Sequence, residues 1–73
     1  MTLYKLLTNI EDLTEVSVFA WSVNRSINLI ASGTALDIFR TLSTYLLECD
    51  ITNINKIENH VLCTLKAFID RVE

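Results

Sequence analysis

His60 and Cys63 are the two side chains whose types and spacing most invite chemistry. Three residues apart on a helix, they share a face, and with Cys49 or Asp50 they would supply three or four metal ligands. Structural zinc sites are built from two short Cys or His pairs, however, and this chain holds one. The expectation is a small buried Cys63, a partly exposed His60 and no metal. As nucleophile and base, the same residues lack an orienting third group and a glycine-rich oxyanion loop. A Cys49–Cys63 disulfide would need an oxidising compartment, which nothing in the sequence indicates. A chain with one Gly cannot build a phosphate-cradling loop. The acidic cluster Glu11, Asp12 and Glu15 is explained by a solvated helix start. No catalytic residue and no cofactor is expected, and the chain reads as a non-enzyme.

Nucleic-acid readout has its own candidates. Asn53, Asn55, Lys56, Asn59 and His60 are types that reach base edges, and two helices joined by a short turn before them would make a helix-turn-helix. Specific binding leans on phosphate neutralisation, whereas six Lys and Arg stand singly against nine Asp and Glu, for a net charge of −3. Nucleic acid is therefore not the expected partner, and these residues read as a polar helix face and cap region.

The elements that would position such side chains are read as helices, because one Gly and no Pro leave little punctuation for many strands. Ile54, Ile57, Val61, Leu65, Phe68 and Val72 step by three and four, predicting an amphipathic helix over about 52–72. Thr34 is a plausible N-cap for a helix over about 34–48, with Asp37 in its first turn and Ser32-Gly33 as the break before it. Leu13, Val16, Ala20, Val23, Ile27 and Ile30 trace a heptad seam. The alternative is a hairpin, since residues 16–21 and 27–30 are rich in β-formers and Ser22-Val23-Asn24-Arg25 could turn. Sustained spacing, the missing turn glycine, and a possible Thr8–Glu11 capping box favour a helix over about 9–31. Residues 2–8 remain as an N-terminal arm or short helical turn.

The expected fold is thus all-α: one small domain over residues 1–73, a three-helix protomer assembled as a helical dimer. Folded and unfolded surface scale so that a chain of this size buries only roughly 60% of its unfolded surface. Disulfides, a metal or self-association usually complete so small a core. The first helix would be apolar on more than one side, which points to Val16, Val18, Phe19, Ala20, Trp21, Val23 and Ile27 as a second contact surface. No apolar run approaches the ~20 residues of a membrane span, and no signal-like segment is evident, so the expected location is cytoplasmic.

The order of parts resembles the small enterobacterial biofilm and acid-resistance regulators of the YmgB/AriR type. The matching features are a first helix ending in Ala31-Ser32-Gly33, a second ending in Leu46-Leu47-Glu48, and a third carrying Cys63-Thr64-Leu65-Lys66-Ala67-Phe68-Ile69-Asp70-Arg71. The resemblance implies a dimerising three-helix protomer that regulates by binding another protein. The functional expectation is a small regulatory or adaptor protein acting through protein–protein contact as a homodimer. Its alternatives are a structural or chaperone-like subunit of a larger assembly, such as a secretion or phage component, and a helix-turn-helix DNA-binding regulator.

Overall fold

The computed structural model describes residues 1–22 and 25–69. Along them run α1 (Leu3–Asn9), β1 (Glu15–Ser22), β2 (Ile27–Thr34), α2 (Ala35–Thr41), α3 (Thr44–Leu47), β3 (Ile51–Ile57) and β4 (His60–Ile69). The all-α expectation is overturned: a four-stranded sheet of order β2-β1-β4-β3 replaces the helical bundle. β1 and β4 are parallel neighbours at its centre, and β2 and β3 pair antiparallel on the two edges.

The segment expected as helix 9–31 forms the β1–β2 hairpin, so the hairpin alternative is the correct one. The segment expected as helix 52–72 forms the β3–β4 hairpin up to Ile69, and residues 70–72 lie outside those described. Period two governs both. Val16, Val18 and Ala20 on β1, and Val61, Cys63, Leu65 and Ala67 on β4, are buried, with the intervening side chains on the other face. The three-and-four spacing arose because both faces of these strands carry apolar residues. In a chain that is 51% hydrophobic, a helical stripe can be picked out of two alternating ones. The turns also dispense with glycine: Arg25 (φ 74°) and Glu58 (φ 54°) adopt positive φ themselves.

The middle segment is helical but in two pieces. Thr34 caps α2, its Oγ1 accepting from Asp37 N at 3.2 Å. Leu42 then turns extended, and Ser43 caps α3 by accepting from Leu46 N at 3.4 Å. The N-terminal arm is a real helix. Thr2 caps α1 by accepting from Lys5 N, and Thr8 lies inside it, donating to Lys5 O, so the Thr8–Glu11 capping box does not form.

The three helices cover one face of the sheet. Leu3, Leu6 and Leu7 of α1, Ala35 and Ile38 of α2, and Leu47 of α3 close over the inward residues of β1 and β4 as one core. Tyr4 and Phe39 join α1 to α2 at the rim, their ring centroids 5.5 Å apart. The result is two layers, helices on sheet, with the other sheet face bare of any element among the described residues. The three-helix protomer implied by the family resemblance is not what forms.

Candidate functional site

The bare face is assembled row by row from the strand register. Phe19 stands opposite Leu29 of β2 and Thr64 of β4, and Thr64 stands opposite Asn53 of β3. In the next row Ser17 pairs with Ser32 and Leu62, and Leu62 with Asn55. Trp21 and Ile27 pair at one end, His60 and Ile57 at the other. Phe19, Ile27, Asn53, Asn55, Leu62 and Thr64 line one shallow concavity that crosses all four strands. Ile27 is 52% exposed, Leu29 56% and Ile57 59%. Large apolar side chains gathered on one uncovered sheet face mark an interaction surface more often than isolated exposed ones do.

One polar contact pins this face. Ser17 Oγ and His60 Nε2 lie 2.8 Å apart, joining β1 to β4 across the parallel pair. A hydroxyl beside an imidazole is nucleophile-and-base geometry, but the surroundings do not develop it. Ser17 is only 6% exposed. β1 is paired along both edges, so its backbone N–H groups are committed to ladders and form no oxyanion hole. Among the described residues no carboxylate is hydrogen-bonded to His60 to orient it. The contact satisfies two polar groups within a largely apolar surface.

His60 and Cys63 do not come together. Strand geometry sends His60 to the bare face and Cys63 to the core, where it is 1% exposed. Desolvation pushes the Cys63 thiol up to about 11, so at neutral pH it is a protonated, apolar-packed side chain rather than a nucleophile. Cys49 is half-buried. Burial raises its thiol pKa, and Asp50 and Glu48 add to the rise. Both thiols are free. Among the described residues, no three His, Cys, Asp or Glu side chains gather where they could hold a metal ion.

The residues expected to form a second contact surface are divided by the pleat. Phe19, Trp21 and Ile27 face outward on the bare face, whereas Val16, Val18 and Ala20 are each fully buried under the helices. Val23 lies outside the described residues. Leu29, Ile57 and Leu62 were missed; the signal that finds them is the alternation of Leu62 and Thr64 against Val61, Cys63 and Leu65. The base-reading candidates are scattered as well. Asn53 and Asn55 are on the bare face, while Lys56 lies with Ile54 and Val61 along a groove beneath α1. Asn59 occupies the β3–β4 turn, so the segment expected as a recognition helix is a strand hairpin instead.

No helix among the described residues is long and apolar enough to cross a membrane. No family model, curated protein or solved structure matches this chain.

Proposed function

We propose that this chain is a small cytoplasmic, non-enzymatic regulatory or adaptor protein that works by docking the bare face of its sheet on a protein surface. The observation that carries the reading is the one-sided architecture. Three helices cover one face, and the opposite face presents Phe19, Trp21, Ile27, Leu29, Ile57 and Leu62 with no element over them among the described residues. A two-sided sheet with apolar residues on both faces is stable in water when both are covered. Aromatic and aliphatic side chains interspersed with Ser, Thr and Asn are the residue mix of a protein interface. The two free thiols suit a reducing compartment.

Photo-crosslinking in the producing cell tests this. A benzophenone amino acid at position 29, on the bare face, should yield specific protein adducts. The same group at position 45, exposed on α3, should yield none above background. Adducts confined to position 45, or none from position 29, would remove the bare face as the working surface.

A further inference from the structure

The bare face is polarised in charge along the strands, and from this we propose that its occupant is a second copy of this chain, packed sheet on sheet with the two copies' strands running in opposite directions. This rests on the reading of the face as a docking surface and adds its partner and orientation.

Glu15 opens β1 directly opposite His60, and Glu58 lies in the β3–β4 turn beside it, so one end of the face is acidic. Because β1 and β4 run parallel, the opposite end holds the β1–β2 turn and the later part of β4. There Arg25 and Lys66 line one concavity with Trp21. Asp50, whose carbonyl accepts from Lys66 N at 2.7 Å, flanks that end on the sheet edge, and among the described residues the end is net positive. Between the ends, Ser17, Phe19, Leu29, Leu62 and Thr64 carry no charge.

A twofold axis lying in the face and perpendicular to the strands gives a closed, self-complementary pair of the commonest oligomeric symmetry. It sets the acidic end of each copy over the basic end of the other. Packed sheets stand about 10 Å apart, a gap that a Glu and a Lys reaching from opposite sides can bridge. The other in-plane axis, parallel to the strands, would set Glu15 near Glu15 and Lys66 near Lys66, which like-charge repulsion disfavours. The area is adequate. Four strands about 4.8 Å apart, with about 25 Å of strand length, make on the order of 500 Å² in plan. Projecting side chains bring the accessible area toward the ~800 Å² per partner of a standard interface.

Sedimentation equilibrium on the full chain decides it, with circular dichroism confirming that each variant is folded. The wild type should be a dimer in the micromolar range. Leu29→Glu, which places one charge per copy on edge strand β2 within the apolar contact, should raise the dimer Kd at least about tenfold. Glu15→Lys and Lys66→Glu should each raise it by about three- to tenfold. An equimolar mixture of those two variants should form a heterodimer near wild-type strength, because both of its end contacts then join opposite charges. A wild type that stays monomeric to about 0.5 mM overturns the second copy as occupant, while heterologous adducts from position 29 would leave the docking surface standing. A dimer indifferent to Leu29→Glu overturns the face. A dimer tightened by Glu15→Lys overturns the opposed orientation.

Discussion

Gly33 has a φ of 147°, in a region that side chains with a Cβ rarely occupy, and it sits in β2 just before the cap of α2. A Cβ built there would meet only Asp37 Cβ at 3.8 Å, so the requirement comes from backbone conformation rather than from space. Glu58 is the opposite case, an ordinary residue held at φ 54° to turn the β3–β4 hairpin. Gly33→Ala should therefore cost about 1–3 kcal/mol, and Glu58→Gly should return about 0.5–1 kcal/mol, both read from urea midpoints. At this scale the sequence was partly readable. Thr34 as a cap and Asp37 in the first turn follow from local chemistry and are found, whereas Gly33, expected as a helix-ending break, lies within β2 opposite Val16. Ser17 and His60 are 43 residues apart in sequence, and nothing local in either residue announces their contact.

Among the elements, α1 is the one whose role its position in the chain understates. Leu3 is 0% exposed, its N–H donates to Cys49 O at 3.0 Å, and Ile51 N donates to Met1 O at 2.8 Å. Residues 1–3 thus pair antiparallel along the segment that joins α3 to β3, and the isolated Thr2–Asp50 bridge is part of that tie. Truncating Leu3 leaves a cavity over β1 and β4, so Leu3→Ala should lose about 2–5 kcal/mol in chemical denaturation. A loose arm would lose nothing measurable. The strand elements were misread because helical and strand periods compete on the same apolar letters. In β1 the alternating set Val16, Val18 and Ala20 is interleaved with Phe19 and Trp21, which are apolar too. A strand with one polar face would have declared itself; two apolar faces conceal the period.

Over the whole molecule, the sheet has one face covered by three helices and the other bare of any element among the described residues. A domain of this size is stable by roughly 0.05–0.15 kcal/mol per residue, so covering the second face would be a sizeable fraction of the total. If a second copy covers it, the melting temperature should rise with protein concentration, as it does for any fold linked to association. Scanning calorimetry across a hundredfold dilution should show that dependence in the wild type. The Leu29→Glu protein should melt below the wild type at each concentration, the gap widest where the wild type is most dimeric.

Composition alone marked this chain as acidic in sum and rich in apolar residues, with the excess concentrated around residues 16–23. Local chemistry placed the cap at Thr34. Which apolar residues became core and which became surface was decided only in the tertiary structure. The pleat gives each strand two faces, and the three helices cover one. Val16, Val18 and Ala20 turn inward and Phe19 and Trp21 outward by alternation, and that division depends on pairing with β4, more than forty residues away. Pairing over such distances depends on the chain's global packing, and so no short window of sequence contains it.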